Sequence, residues 1–219
     1  MASIVFPETF FLRPRATVAL RAIYRLERVV AALLLAAALP LMAVIAVVVA
    51  VLARRSPLVR HVRVGWRGEP LAMLKFRTMW GPGTPRSAIF TIEEVQDHIP
   101  EIKGAPDPRV TSRFAAWCRR RSIDELPQLY HVVRGEMSFV GPRPITRTEL
   151  DRYYGPSALE VLSLRPGLVG LWQVMGRNHL TYARRRRLDL LMVRHASAAL
   201  YLRILARSVT LVLGGNGAF

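Results

Sequence analysis

The chain has 219 residues and a formal net charge of +17, with a pI near 11.5. Its length supports one good hydrophobic core, so we do not divide it into two independently folding domains. Such a charge predicts a polyanionic partner, which could be nucleic acid, anionic lipid or a phosphorylated substrate. The positive mean hydropathy of +0.23 favours a protein seated on an anionic bilayer and argues against a nucleic-acid partner. Cys118 is the only cysteine, which excludes an internal disulfide and a cysteine-based metal site.

Residues 1–28 form a basic lead that precedes an apolar stretch. No small-residue cleavage site follows a short apolar core, so we do not interpret this lead as a signal peptide. Within it, Val18–Leu26 could form an amphipathic helix at the lipid surface, and a mobile terminus is the alternative.

An uncharged apolar run extends from Val29 to Ala53 and is long enough, at about 1.5 Å per residue, to cross a bilayer. A plain spanning helix is the simplest interpretation, but two features favour another. Pro40 lies near the middle and cannot bond to the carbonyl of Ala36, so we expect a kink there. Both flanks of the run are basic, so the positive-inside rule is satisfied at once if both ends stay in the cytoplasm. We therefore predict a re-entrant membrane helix over residues 29–55, a helix-break-helix with its break at Pro40.

Residues 56–80 have the pattern of short strands and turns. Lys75 and Arg77 lie two residues apart and would point to the same face of a strand, as surface charge or as part of a site. Residues 81–106 contain Gly-Pro-Gly and mixed polar residues. They predict a mobile linker with a short acidic helix around residues 93–98, which could close over a substrate.

Two adjacent carboxylates, Asp124 and Glu125, lie in an otherwise basic setting. Three arginines just precede them, and Arg143 follows. Neighbours on a helix are about 100° apart, so the two carboxylates cannot share one target symmetrically. We therefore expect a division of labour in which one carboxylate attacks and the other holds a cation.

The local sequence allows two helix starts around these carboxylates. Ser122 followed by Glu125 matches a capping box, but this start would put Pro127 inside the helix, where its ring and missing N–H are unfavourable. A start at Asp124 or Glu125 leaves Pro127 in the first turn. The carboxylates would then lie at the positive end of a helix dipole, which favours their ionised form.

Arg143 lies between two prolines, in the segment Gly141-Pro142-Arg143-Pro144. The prolines fix the backbone on either side, so the guanidinium is presented with little entropy left to lose. Such an arginine suits a bidentate contact with a phosphate.

Glycine-containing turns bracket a predicted short strand further along the chain, at Arg165-Pro-Gly167 and Gly176-Arg177. Glycines there would let the backbone approach a ligand. Trp172 could be a stacking platform, but a place in the core is the simpler interpretation.

The last part of the chain predicts two basic helices. Asp189 lies in the first of them and, on spacing alone, would be the intrahelical partner of Arg185 or Arg186. Residues 198–213 have the pattern of an interfacial helix with a snorkelling face.

The stretch Ser122–Pro144, SIDELPQLYHVVRGEMSFVGPRP, resembles the signature of the bacterial sugar transferases. These are monotopic phosphoglycosyl transferases, which move a phospho-sugar from a nucleoside diphosphate sugar onto a polyprenol phosphate. Further matches are KFRTM at Lys75–Met79, DPRVT at Asp107–Thr111 and RPGLVGLWQVMGR at Arg165–Arg177. The resemblance runs from about Tyr24 to Ala218, nearly the whole chain.

The resemblance implies a role for each matching residue. Asp124 and Glu125 would be catalytic, with Asp124 as the nucleophile and Glu125 as the ligand of Mg²⁺, for which Mn²⁺ could substitute. Substrate-binding roles fall on five residues: Lys75, Arg119, Arg143, Arg177 and Asp189. The chain departs from the family at Tyr201, where an aspartate is often found, which puts local packing or acceptor contacts in doubt.

These observations predict an α+β fold in which residues 56–219 form a small mixed catalytic domain with interfacial amphipathic helices. We expect a monotopic protein of the bacterial inner membrane, with its catalytic domain on the cytoplasmic face. Its predicted partners are a nucleoside diphosphate sugar, most simply a UDP-sugar, a polyprenol phosphate and anionic lipid, but no nucleic acid. The rival hypotheses are a membrane-tethered nucleic-acid binder and a non-catalytic scaffold for polysaccharide assembly.

Overall fold

The computed structural model describes residues 18–81, 84, 87–90, 109–176 and 180–213. Within these residues the chain mixes helices and strands behind one long N-terminal helix, as the sequence predicts. The elements follow in the order α1 (Val18–Ala53), β1 (Leu58–Val64), β2 (Pro70–Phe76), β3 (Ile89–Phe90), α2 (Arg113–Arg120), α3 (Leu129–Arg134), β4 (Ser138–Val140), α4 (Arg147–Glu149), α5 (Ala158–Val161), β5 (Gly167–Val169), α6 (Leu171–Met175), α7 (Tyr182–Arg194) and α8 (Ala198–Leu213). The predicted acidic helix at residues 93–98, and the part of the basic lead before residue 18, lie outside the described residues.

Helix α1 contains 36 residues and is unbroken, with Pro40 inside it. The stretch predicted as a helix at Val18–Leu26 is the first part of α1 and not a separate element. A proline removes one backbone hydrogen bond, and the strongly helix-forming alanines and leucines around it carry the helix through. The predicted break at Pro40 is therefore not confirmed. By length and composition alone, α1 could cross a membrane.

One face of α1 is buried at both ends of the helix. The buried positions recur every three or four residues: Leu20, Tyr24, Glu27 and Ala31, then Ile45, Val49 and Ala53. Before Pro40, Ala31 shares a core cluster with Val132 of α3. After Pro40, Ile45 shares a cluster with Phe76, against which Ile123 packs. Because Ile123 and Val132 are only nine positions apart in the chain, both legs of α1 are held against one short segment.

Strands β1 and β2 pair antiparallel, and β3 pairs parallel with the other edge of β1. In this register Val59 lies opposite Lys75, and His61 lies opposite Met73. Since alternate residues of a strand share a face, these four side chains point the same way. Val59 and Met73 are buried, so Lys75 and His61 are directed toward the body of the domain.

Arg77 does not accompany Lys75 into the same site. It follows the end of β2 and is 2% exposed. Its guanidinium donates hydrogen bonds to the carbonyl oxygens of Ser56 (2.9 Å) and Ser87 (2.8 Å). Arg77 therefore ties the strand end to two neighbouring loops.

The segment around Arg143 is fixed by the parallel pair β4 and β5. The Gly141 N–H donates to the Val169 carbonyl at 3.0 Å, and the Gly167 N–H donates to the Pro142 carbonyl at 2.9 Å. A Cβ on Gly141 would lie 2.2 Å from the carbonyl oxygen of Arg165, and one on Gly167 would lie 2.0 Å from the Gly141 nitrogen. The close approach that requires glycine here is thus one of backbone to backbone.

The C-terminal part differs from the prediction in one detail. Strand β5 ends at Val169 and helix α6 follows it, so the region before Gly176 is a strand and a short helix. Trp172, in α6, is 8% exposed and belongs to the core, as predicted. In α8, Tyr201 and Ile204 are buried and Leu202 is exposed, but the predicted interfacial position of this helix is not confirmed.

Candidate active site

Asp124 and Glu125 lie in a six-residue 3₁₀ helix, Ile123–Gln128, which we call the carboxylate segment and which α3 follows directly. Ser122 precedes it in a left-handed conformation (φ 54°), and its side chain makes no capping bond. The capping-box alternative is therefore wrong, and a start at Asp124 or Glu125 is not observed either, because the 3₁₀ helix begins at Ile123 and the α-helix at Leu129. Pro127 lies before the first α-helical turn of α3, where its missing N–H costs little.

Glu125 is held by two cations. Its Oε1 accepts a hydrogen bond from Lys75 Nζ at 2.6 Å and a longer one from an Arg143 terminal nitrogen at 3.5 Å. The Lys75 and Glu125 side chains are only 13% and 22% exposed. Burial by itself would raise the pKa of Glu125, but Lys75 and Arg143 outweigh it and lower this pKa to about 2. Glu125 is therefore ionised at every physiological pH.

Asp124 is 6% exposed, and its environment acts in the opposite direction. Burial raises its pKa, and the Glu125 charge adds to the rise, while Lys75 and Arg119 oppose it. Two cationic side chains and a backbone hydrogen bond therefore favour ionisation of Asp124, whereas the sequence predicted a helix dipole alone. Neighbouring carboxylates with pKa values pushed apart are the usual sign of two different chemical roles.

Arg119 and Arg143 reach this cluster from two other elements. Arg119 lies in the last turn of α2, whose N-terminus is capped by the Ser112 hydroxyl, which accepts from the Phe114 N–H at 3.1 Å. Its charge lowers the pKa of Asp124. The structure therefore brings together Asp124, Glu125, Lys75, Arg119 and Arg143, and their roles in the reaction stay predictions. Arg177 lies outside the described residues.

His61 also belongs to this cluster, although the sequence analysis missed it. It shares the inward face of β1 and β2 with Lys75. Burial lowers its pKa to about 2, and Lys75, Arg63, Arg143 and Arg119 add to the effect. His61 is thus a neutral imidazole among cations. Its place on the same face as Lys75 is visible only once the register of β1 and β2 is known.

Asp189 lies in a different network. It is fully buried, and its Oδ2 accepts a hydrogen bond from the Tyr154 hydroxyl at 2.7 Å. Burial raises the pKa of Asp189 to about 7, against the opposing effects of Tyr154 and Arg185. Arg185 acts on Asp189 electrostatically, but among the described residues no ion pair joins them. No contact given by the described structure joins Asp189 to the carboxylate segment.

A buried histidine holds the part of β2 that carries Lys75 in position. His131, in α3, accepts the Leu74 N–H at Nε2 (3.1 Å), and its Nδ1 lies 2.7 Å from Glu136 Oε2. Glu136 thus selects the tautomer whose Nε2 is an acceptor. Two cross-links, one through a backbone N–H and one through the Lys75 side chain, therefore join β2 to the stretch Ile123–Arg134.

Tyr201 has a partner that the sequence did not reveal. Its hydroxyl donates to Oε2 of Glu27 at 2.7 Å, and the same oxygen accepts from the Ser138 hydroxyl at 2.8 Å and the Phe139 N–H at 3.1 Å. Glu27 is 4% exposed and lies in α1, and Ser138 begins β4. The tyrosine therefore joins α8, α1 and the strand that leads to Arg143.

The carboxylate segment could supply only some of the ligands that a divalent cation needs. Both bonds to Glu125 end on Oε1, so within the described part of the chain Oε2 is left as the oxygen that could take a cation. No group of three or more metal-ligating side chains occurs among the described residues. Mg²⁺ commonly binds one or two carboxylates and completes its shell with substrate phosphates and water. The residues present fit such a shared site.

Comparisons with known proteins show which protein family this chain resembles. The family model for "Bacterial sugar transferase" matches residues 20–215. A UDP-galactose-lipid carrier transferase of Erwinia amylovora is 39% identical over 172 residues, which are 75% of this chain and 35% of the relative. The exopolysaccharide production protein ExoY of Rhizobium meliloti is 40% identical over 162 residues, 73% of this chain and 71% of the relative.

A UDP-glucose:undecaprenyl-phosphate glucose-1-phosphate transferase of Caulobacter vibrioides is 39% identical over 168 residues, 74% of this chain and 57% of the relative. The chain thus spans about a third of the Erwinia protein and more than half of the Caulobacter protein. The family model covers nearly all of the chain, and the matched range includes the clustered carboxylates and cations. The chain belongs to the bacterial sugar transferase family.

Proposed function

We propose that this chain transfers a phospho-sugar from a nucleoside diphosphate sugar to a polyprenol phosphate and releases a nucleoside monophosphate. The observation that carries the proposal is the pair Asp124 and Glu125, whose pKa values are shifted in opposite directions beside Lys75. Relatives named for UDP-galactose or UDP-glucose support a UDP-sugar as donor, and one named for undecaprenyl-phosphate supports that class of acceptor. A relative named for exopolysaccharide production supports a place in polysaccharide assembly.

The first step is a displacement at the sugar-bearing phosphorus. A carboxylate oxygen of Asp124 forms a bond to this phosphorus, and the bond from the phosphorus to the bridging oxygen breaks. The bridging oxygen leaves with its electron pair on the nucleoside monophosphate. The enzyme then carries an aspartyl-phosphosugar, a mixed anhydride that divides one difficult transfer into two.

The second step restores the enzyme. A phosphate oxygen of the polyprenol phosphate attacks the same phosphorus, and the bond to the Asp124 oxygen breaks, which leaves a polyprenol diphosphate sugar. Neither step needs a proton transfer, because every attacking and leaving group is a carboxylate or a phosphate oxygen. A neutral His61 is consistent with this scheme, since no general base is required.

Charge is the main obstacle, because a carboxylate must approach a diphosphate. Lys75, Arg119 and Arg143 offset it by their position beside the carboxylate segment, and this preorganised charge is the main source of the rate. Arg177 is expected to contact phosphate as well. Mg²⁺ held by Glu125 would neutralise the diphosphate and its leaving group.

The packing of α1 supports a monotopic, re-entrant seat in the bilayer. Its two legs, before and after Pro40, are held by the same stretch Ile123–Arg134. A helix that crossed the bilayer would carry one end away from the domain, whereas here buried residues of α1 on both sides of Pro40 contact the domain. We therefore propose that α1 enters the inner membrane and returns to the cytoplasmic face, where a water-soluble donor can meet a lipid acceptor.

The reaction is tested by its first half. The purified chain, incubated with a nucleotide sugar and no lipid, should release nucleoside monophosphate up to one equivalent per enzyme and hold the phosphosugar at Asp124. Asp124→Asn should abolish release and adduct, because an amide cannot form the anhydride. Glu125→Gln should slow both and weaken the dependence on Mg²⁺, but still give adduct on long incubation. Release that occurs only with polyprenol phosphate present, and no adduct, would refute the covalent scheme.

The topology is tested by cysteine labelling in intact cells. With Cys118 replaced by serine, single cysteines at Val18 and at Arg54 report the two exposed ends of α1. Both should resist a membrane-impermeant maleimide until the inner membrane is opened. Labelling of only the Val18 site from the periplasm would overturn the re-entrant topology.

A further inference from the structure

Two guanidinium groups converge at one point beside α1, away from the carboxylate segment. A Cβ placed on Gly135 would lie 3.7 Å from Arg28 Cζ and 3.8 Å from Arg165 Cζ. Gly135 ends α3 in a left-handed conformation (φ 76°), which leaves the space between the two arginines without a side chain. Two like charges held close together around a gap repel each other, and an anion in the gap stabilises the arrangement.

Both arginines are held in place by contacts that leave most of their donors unused. Arg28 Nε donates to the Val133 carbonyl at 2.9 Å. The Arg165 guanidinium lies over the rings of Tyr24 (5.1 Å) and Trp66 (5.2 Å). Within the described residues, the terminal nitrogens of Arg28 and the whole guanidinium of Arg165 donate to no protein oxygen. They are therefore fixed in position and ready to donate to an external acceptor.

The protein carboxylate that influences Arg165 does not fill this role. Glu27 acts on Arg165 electrostatically, but its Oε2 is bonded to Ser138, Phe139 and Tyr201. No ion pair joins Glu27 to either arginine in the described structure. Glu136, the residue after Gly135, is paired with Arg134 and His131.

The position of the arginines indicates which anion would bind. Arg28 is the last charged residue before the apolar run that begins at Val29, so in the proposed seat it lies at the level of the lipid headgroups. The full length of α3 separates Gly135 from Glu125. A phosphate bound at Gly135 is therefore not the one that reacts at Asp124.

We propose that Arg28 and Arg165 form a binding site for the phosphate of an anionic phospholipid, which anchors the start of the membrane leg of α1. Guanidinium forks match phosphate oxygens in a bidentate geometry that lysine cannot reproduce. The inference uses the membrane seat of the proposed function but not the transfer reaction.

The test measures lipid binding by the full-length protein in a neutral detergent, without nucleotide sugar. Phosphatidylglycerol is titrated in mixed micelles, and the rise in melting temperature gives an apparent affinity, with phosphatidylcholine as the reference lipid. Arg28→Gln and the double variant Arg28→Gln/Arg165→Gln are compared with Arg54→Gln. This control removes the same charge at the other end of the apolar run, from an exposed arginine.

We expect the double variant to bind phosphatidylglycerol about tenfold or more weakly, and Arg28→Gln to show a smaller loss, while Arg54→Gln binds like wild type. Arg28→Gln leaves the ring contacts of Arg165 intact, so it reports on the site if the double variant fails to fold. The double variant Arg28→Lys/Arg165→Lys should recover only part of the affinity. Equal affinity in wild type, Arg28→Gln and Arg54→Gln would overturn the proposal, as would full recovery with lysine, which would indicate charge attraction alone.

A parallel titration with polyprenol phosphate distinguishes the two sources of a lipid phosphate. If only polyprenol phosphate gave a response that depends on Arg28 and Arg165, these residues would belong to the acceptor path and the phospholipid assignment would be wrong. Because no donor is present, the lipid response does not depend on the reaction. Failure of the covalent scheme and failure of this site would therefore be seen in different experiments.

Discussion

Lys75 controls the charge of both carboxylates, and its removal tests the electrostatic basis of the proposed site. Lys75 Nζ lies 2.6 Å from Glu125 Oε1, and its charge lowers the pKa of Asp124 as well as that of Glu125. Lys75→Met keeps the apolar stem and removes the charge. Since an opposite charge at this range lowers a carboxylate pKa by about 1–3 units, both pKa values should rise by about that amount.

Two consequences follow from that shift. The acid limb of donor-only nucleotide release should move to higher pH by about 1–3 units, and each unit costs about tenfold in rate below the limb. The free energy of unfolding at pH 7 should fall by about 1–3 kcal/mol, because Glu125 keeps only its longer contact with Arg143. Because the pKa of Glu125 is lowered in the folded state, its contribution to stability is present above the unfolded pKa and is lost as pH falls toward about 2. The loss of stability caused by Lys75→Met should therefore shrink near pH 3.

The assay is nucleotide release by enzyme and donor between pH 5 and 9, with thermal unfolding over the acid range. Arg60→Gln is the matched control, because Arg60 is exposed and lies opposite Leu74, so its side chain is on the other face of the sheet from Lys75. A double-mutant cycle of Lys75→Met with Glu125→Gln isolates the pair. If Lys75→Met kept the wild-type acid limb and a rate within twofold, Lys75 would not set the charge of the carboxylates and the reasoning would be refuted.

Four further outcomes are expected. Gly141→Ala should cost roughly 3 kcal/mol or more of unfolding free energy by thermal melting, because its Cβ would meet a carbonyl at 2.2 Å, whereas Gly155→Ala, with open space at φ 45°, should cost less. Tyr201→Phe should cost about 1–3 kcal/mol in the same assay, because a buried carboxylate loses its 2.7 Å donor; Tyr201→Asp should cost more, since it adds a second buried carboxylate. Burial raises the pKa of Asp189 to about 7, so its contribution to stability is present below the unfolded pKa near 4 and is lost as pH rises through about 7. Asp189→Asn should therefore flatten the decline in melting temperature between pH 5 and 8, and an unchanged decline would contradict this. Finally, Mg²⁺ and the nucleotide sugar should each raise the other's affinity in calorimetric titrations, and EDTA should abolish turnover.

The sequence predicted the content of the site better than its local geometry. Asp124, Glu125, Lys75 and Arg143 are marked by residue type and motif, and the structure brings them together. The helix start was less predictable, because a left-handed Ser122 depends on how α2 meets the carboxylate segment, which no local propensity encodes.

Two residues show what a linear pattern cannot reveal. His61 joins the cations because β1 pairs with β2 in one register, and a shift by one position would turn it to the other face. Glu27 accepts a hydrogen bond from Tyr201, which is 174 positions away in the sequence. Its place in the basic lead alone would predict an ordinary solvated charge. The continuity of α1 through Pro40 is a third case, since packing of α1 on both sides of the proline adds to the helix propensity of the residues around it.

The ion pairs of the free protein also suggest how the site would respond to substrate. Lys75 and Arg143 are bonded to Glu125, so a diphosphate that takes these cations must do so at the expense of Glu125. A carboxylate that loses its cations in a partly buried place becomes a stronger ligand for Mg²⁺, which the same diphosphate helps to coordinate. Donor and metal would thus favour each other's binding by linkage, without any large movement of the chain. Asp124, whose ionisation is opposed by burial and by the Glu125 charge, would then be left beside a neutralised neighbour and a bound phosphorus, the condition under which its attack costs least.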